Sequence, residues 1–216
     1  MDIQQGTPEW HELRLGKATA SKIQSIVARA KSGMVAAGRK NYMAELVLER
    51  LTGRRDENGF KSASMERGNE VEDDARKVYS FLNSIKIEQV GFVEHPTIEM
   101  SGCSPDGLAG DSGLVEFKCP EPAQHLAALE GAKIPLQYLT QMHWQMACLP
   151  DRQWCDYVSF DPRFPESMRM KVTRIHRDAE RIDELEAAVS DFLIEVNAKV
   201  LGLQKLHEIA QSDLAA

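Results

Sequence analysis

Apolar positions recur every three to four residues in the first third of the chain and then switch to alternation. Ile23, Ile26 and Val27 predict a helix through KIQSIVARA, with Thr19 or Ser21 as its cap. A second helix fits NYMAELVLERLTG and closes at Gly53. A third fits SMERGNEVEDDARKVYSFLN, where Val71, Ala75, Val78 and Leu82 form one stripe. The period then falls to two. KIEQVGFVEHP, TIEMSGCSP, GLVEFKCP, QWCDYVSFDP and MRMKVTRIH are short, rich in β-branched and aromatic residues, and bounded by Gly, Pro or Asp, so each predicts a strand. Two helical stretches, EPAQHLAALEG and LQYLTQMHWQMAC, lie between the third and fourth strands. A long last helix is expected from about Asp178 to Leu206, with residues 207–216 frayed. This order predicts one α/β domain over residues 1–216, with a central mixed β-sheet flanked by helices.

Composition narrows the class. No window reaches the ~18 apolar residues of a membrane span, and the first residues show no secretory pattern, so a cytoplasmic protein is expected. Cys103, Cys119, Cys148 and Cys155 lack metal-finger spacing and read as reduced thiols. Trp10, Trp144 and Trp154 lack basic neighbours in an interleaved pattern and read as packing residues. The net charge of −7 argues against a polyanionic partner, but it is uneven. Residues 1–40 carry seven Lys/Arg against three acids, a local +4 that leaves −11 for the rest. A polyanion can meet the first part while acids elsewhere hold cations; a solvated basic face accounts for the same imbalance.

Candidate chemistry concentrates in SGCSPDGLAGDSGLVEFKCP, residues 101–120. Asp106 sits in a Ser-Pro-Asp-Gly turn. In the strand LVEFK, Glu116 and Lys118 share one face and Val115 and Phe117 the other. A hairpin through LAGDSG, pairing TIEMSGCSP with GLVEFKCP, brings Asp106 near Glu116, and both emerge with Lys118 in a cleft. Two close carboxylates share a proton or hold a hard cation such as Mg²⁺, and an adjacent lysine can orient water or offset developing charge. That is a phosphodiester-hydrolysis set. An exposed hairpin with an Asp turn and a Glu–Lys surface pair fits the same spacing.

The pattern P-D-(x)9-E-x-K resembles the PD-(D/E)xK nuclease superfamily. WHELRLGKATAS (10–21), RGNEVEDDAR (67–76), SPDGL with LVEFKCP, and YLTQMHWQM (138–146) follow in the order seen in phage lambda exonuclease-like (YqaJ-type) alkaline exonucleases. The resemblance implies a restriction-endonuclease-like core and a catalytic set of Asp106, Glu116, Lys118, Glu72 and Gln141. Within it Asp106, Glu116 and the Phe117 carbonyl hold Mg²⁺, with Mn²⁺ as substitute. Glu70, Asp73 and Asp74 crowd Glu72, and local composition does not choose among them. His143 stands where the family often has a second glutamine. Arg14, Ser21 and Ser104 match a 5′-phosphate pocket. Arg29 and Lys31 match duplex-backbone contacts, and Met65 matches an apolar wedge that splits the terminal base pair.

The implied activity is 5′→3′ digestion of linear double-stranded DNA from a 5′-phosphorylated end, giving mononucleotides and a 3′ overhang. A homotrimeric ring, a phage single-strand annealing protein as partner and a bacterial host cytoplasm are implied with it. An endonuclease of the same fold and a non-catalytic DNA-end-binding recombination protein remain alternatives.

Overall fold

A computed structural model describes residues 3–29, 36–55 and 63–215, the side chains of 63–70 and 209–215 excepted. Helix α1 (Pro8–Leu13) starts at Thr7, whose side chain caps it by accepting from Trp10 N, with Pro8 at its first turn. Strand β1 (Ala18–Thr19) and a 3₁₀ turn (Ala20–Lys22) lead into α2 (Ile23–Val27). Neither Thr19 nor Ser21 caps that helix through its side chain. Thr19 is instead held by pairing: β1 runs parallel to β4 (Ser101–Cys103), and the Thr19 N–H donates to the Tyr42 hydroxyl at 3.0 Å. Tertiary pairing overrides the local capping signal. Helix α3 (Ala37–Thr52) begins before Asn41 and ends, as its pattern predicts, at Gly53, which adopts φ 63°. Helix α4 (Ala63–Asn83) follows the third predicted helix closely.

The expected hairpin is different. KIEQVGFVEHP divides into β2 (Ile87–Glu88) and β3 (Val93–Glu94), which join different sheets. Strand β4 pairs with β1 and β3, so TIEMSGCSP is not the partner of GLVEFKCP. That partner is β5 (Gly107–Ala109), antiparallel to β6 (Gly113–Lys118) with Gly107 opposite Val115. Asp106 thus lies at the seam between a three-stranded sheet, β1-β4-β3, and a five-stranded one, β2-β5-β6-β7-β8.

Helices α5 (Pro122–Leu129) and α6 (Leu136–Cys148) cross over to β7 (Trp154–Phe160), which lies parallel to β6; β8 (Met170–His176) completes the mixed sheet. The last helix, α7 (Ala179–Ala215), runs past the Leu206 end its apolar pattern predicts.

Strand β6 is central and covered on both faces. Val115 and Phe117 pack with Ala75 and Tyr79 of α4 and with Val158 and Phe160. On the other side Met142, Trp144 and Met146 of α6 meet Leu185, Val189 and Phe192 of α7, with Ile23, Ile26 and Leu46. None of the four cysteines is joined in a disulfide among the described residues. Among the described residues no helix is long and apolar enough to cross a membrane.

Candidate active site

Asp106 occupies the place where the β5–β6 ladder stops. Its Oδ2 accepts from the Phe117 N–H at 2.7 Å, so a side chain replaces the missing strand partner. This fixes the Asp106 carboxylate beside β6. Glu116 is fully buried rather than emerging in a cleft, because α6 covers its face. Its Oε1 accepts from Gln141 Nε2 at 2.6 Å and from the Lys118 ammonium; its Oε2 accepts from Gln145 Nε2 at 2.6 Å. A buried carboxylate requires such donors, and they hold it in one orientation.

The titration directions follow from this crowding. Burial, then the charge of Glu116, push the Asp106 carboxyl well above its usual range. Burial disfavours the Lys118 ammonium, but Glu116 and Asp106 outweigh it and raise its pKa. Lys118 therefore keeps its proton, as a hydrogen-bond donor and a fixed positive charge. Glu72, half-buried on α4, also titrates high, chiefly through burial; it pairs with Arg76 at 2.7 Å and feels the charges of Lys118 and Glu116. Among the described α4 side chains, Glu72 is thus the acid that feels the pair. Asp73 and Asp74 are exposed and pair with Arg76 and Lys77, and the Glu70 side chain lies outside the described residues.

Among the described residues no three His, Cys, Asp or Glu side chains gather closely enough to hold a metal by themselves. The donor set nevertheless suits a hard cation: two carboxylates repel one another at low dielectric, and the backbone carbonyls of β6 are oxygen donors of the same kind.

Gln145, like Arg55 below, is a site residue that the sequence motifs do not mark. It lies four residues from Gln141, on the same helical face. His143, two residues from Gln141, turns away toward Asp178 and Arg181, and burial lowers its pKa. It takes no part in the carboxylate cluster.

Arg14 lines a cavity of about 90 Å³ with Ser21, His11, Lys22, Tyr42 and Arg55. Its guanidinium lies 3.8 Å from the centroid of the Trp10 ring, and Trp10 Nε1 donates to Ser104 Oγ at 3.0 Å. Ser104 thus stands behind Trp10 and does not line the cavity, and Trp10 is more than packing: it aligns two predicted site residues. Arg55 Nη1 donates to His11 Nδ1 at 2.7 Å. Among the described residues neither guanidinium has an ion-paired carboxylate. The carboxylates in the wall are engaged, Glu45 with Lys22 and Glu49 with the Gly16 N–H. Burial, then Arg55, lowers the Arg14 pKa to about 10. Two guanidiniums thus share a cavity whose wall carboxylates, Glu45 and Glu49, bond elsewhere, an arrangement with the chemistry of an anion site. Arg29 is exposed and away from it; Lys31 and the Met65 side chain lie outside the described residues.

With this geometry in hand, residues 9–150 match the YqaJ-like viral recombinase domain family. The chain belongs to that family. The YqaJ-like match takes in Arg14, Glu72, Asp106, Glu116, Lys118, Gln141 and Gln145, and ends before β7, β8 and α7. Those last elements are matched in solved structures. An alkaline exonuclease from Laribacter hongkongensis, LHK-Exo, is 43% identical, with a TM-score of 0.88 over 94% of this chain and 100% of that one. The same protein in complex with dAMP matches equally well. A phage-related exonuclease from Haemophilus somnus 129PT shares the fold at 19% identity, TM-score 0.64, over 87% of this chain and 96% of that one. No curated protein matches this YqaJ-like chain in sequence.

Proposed function

We propose that the chain is a Mg²⁺-dependent 5′→3′ exonuclease that degrades one strand of linear double-stranded DNA from a 5′-phosphorylated end. The coarser statement stands on kinship: a YqaJ-like domain with the fold of an alkaline exonuclease at 43% identity is a deoxyribonuclease of recombination. The finer reading is carried by one observation. The Asp106–Glu116–Lys118 cluster lies two residues along the chain from Ser104, the serine behind the two-arginine cavity.

On this reading Arg14 and Arg55 grip the terminal phosphate, with Ser21 at the rim. A phosphate monoester carries nearly two charges and matches two guanidiniums better than an internal diester does. Asp106, Glu116 and the Phe117 carbonyl would hold Mg²⁺, or Mn²⁺ in its place, which when bound supplies Lewis acidity and an acidified water. Gln141 and Gln145 keep the Glu116 carboxylate in one orientation. The Lys118 ammonium donates to the phosphoryl oxygens as charge builds on them. Water attacks in line and the P–O3′ bond breaks. The released mononucleotide leaves with a 3′-hydroxyl, and the strand left behind carries the new 5′-phosphate. LHK-Exo in complex with dAMP supports a mononucleotide product. Glu72 closes the acid cluster from α4, and duplex contacts by Arg29, Lys31 and Met65 belong to the same reading.

The remaining parts of the reading are a homotrimeric ring, a single-strand annealing partner and a phage or prophage origin in bacterial cytoplasm. Exposed Phe81 and Leu82 on α4, and Ile194 and Leu206 on α7, are apolar surface suited to contact between copies. End-labelled linear duplex with Mg²⁺ tests the core proposal. Label on a 5′-phosphorylated end should appear as mononucleotide while closed circles stay intact. Cut circles, or linear duplex that never shortens, would overturn it.

A further inference from the structure

The face of the sheet that carries Glu116 and Lys118 does not end at β6. Register places Tyr157 opposite Glu116 and Thr173 opposite Tyr157; in the next row Ser159 is opposite Lys118 and Lys171 opposite Ser159. Above these rows lies a cavity of about 230 Å³, much larger than the arginine pocket, walled by Ala128 of α5, Ile134, and Tyr138 of α6. Among the described residues its charged lining is lysine alone, Lys118, Lys133 and Lys171, with no carboxylate. The Tyr138 ring stacks on Tyr157 with centroids 5.8 Å apart, and Lys118 Nζ lies 5.0 Å from the Tyr138 centroid.

An aromatic and aliphatic wall facing a row of ammonium groups has the chemistry of a nucleotide site: a flat base stacks on the ring and a phosphate meets the lysines. Its place is equally informative. Helix α6 passes from Tyr138 in this cavity, past Gln141 and Gln145 on Glu116, to Trp144, whose Nε1 donates to Gly102 O next to the Ser104 end of β4. The carboxylates therefore stand between the arginine cavity and this one.

We propose that this cavity is a subsite for the nucleotide on the 3′ side of the cut, stacking on Tyr138 the first base of the strand that stays behind. The inference rests on the nuclease reading above. It makes the enzyme hold its substrate on both sides of the scissile phosphate, one side by charge and the other by stacking. Lys171 and Lys133 meet the backbone beyond that base.

The test is the rate of the first cut on 5′-phosphorylated duplexes that lack one base. An abasic residue at the second nucleotide of the digested strand should slow wild-type protein at least fivefold. An abasic residue in the opposite strand, facing that nucleotide, breaks the same base pair but leaves the stacked base; it should slow cutting less than twofold. Ala128→Phe, which fills the cavity, should raise KM on intact duplex and cut intact and second-position abasic ends at equal rates. Lys171→Ala, on the edge strand, should raise KM with kcat retained and leaves the buried wall untouched. Equal wild-type rates on intact and second-position abasic strands, or equal slowing from either strand, would overturn the subsite. Failure to cut the intact duplex at all would instead overturn the nuclease reading.

Discussion

Gln145 donates its amide to Glu116 Oε2 from a fully buried position, so its replacement exposes the carboxylate to an unsatisfied lone pair rather than to water. Gln145→Leu keeps the volume and removes the donor. Single-turnover hydrolysis is expected to fall about 10- to 100-fold with KM for DNA nearly constant, the range seen when partners of metal ligands are lost. Arg55 offers a second residue-scale check. Arg55→Ala should slow 5′-phosphorylated ends about tenfold or more and leave 5′-hydroxyl ends unchanged, since only the phosphorylated end brings a dianion to the pocket. The two residues differ in how far the sequence exposes them. Gln145 was legible as the i+4 companion of Gln141, and a count of helical faces would have chosen it over His143. Arg55 was not: it follows a helix-terminating glycine, and nothing local says that the chain there folds back on Arg14.

At the level of elements, strand identity was readable and strand pairing was not. GLVEFK, WCDYVSF and MKVTRIH each form a strand where alternation predicts one. KIEQVGFVEHP and TIEMSGCSP carry equal alternation, yet they contribute two or three residues to each of several strands, because the chain changes sheets at Gln89–Phe92 and again at Ser104–Asp106. Period two records which face is buried, and a strand that changes sheets preserves it. One tie across the three-stranded sheet has a pH signature. His95, just after β3, accepts the Ile98 N–H on Nδ1 at 3.1 Å and meets Glu186 of α7 through Nε2 at 3.2 Å. Nδ1 is thus an acceptor and the folded imidazole is neutral. Burial lowers its pKa and outweighs Glu186, which raises it. Below pH 6.5 the unfolded histidine binds a proton that the folded one refuses, so the unfolded state holds more protons and stability falls with acidification. Calorimetry between pH 7.5 and 5 should show the wild-type Tm falling relative to that of His95→Gln as the pH drops, since Asp106 and Glu72, titrating high, act on both proteins alike and with the opposite sign. A slope unchanged by the substitution would remove His95 as its source.

For the molecule as a whole, the alternation of helix and strand periods led to the right class, a mixed sheet between helices, and the buried stripe of α4 came out as Val71, Ala75 and Val78 with Tyr79. Leu82, assigned to the same stripe, is 64% exposed, and its neighbour Phe81 is 84% exposed. A single chain gives no reason for a phenylalanine in water at the end of a long helix; a second copy does. The proposed ring makes this testable. Phe81→Asp should shift sedimentation from three times the chain mass to one, and should turn digestion of long duplex from continuous to interrupted while short substrates are still cut. Wild-type protein that sediments as a monomer at all concentrations would remove the ring from the reading.

Ser104 and Asp106 are separated by Pro105 alone, whose carbonyl accepts from Gln5 Nε2 at 2.8 Å while the same amide bonds Val90 O at 2.9 Å. Two residues of chain reach at most about 7 Å, and here they connect the sheet behind the arginine cavity to the sheet that carries the carboxylates. Grip and blade are consequently set apart by covalent bonds, with an amide clamp to stop the link from flexing. On the proposed function, a device of that construction is a gauge: the length of what it removes would be decided by its own backbone, and the letters of the genome it consumes need never be read.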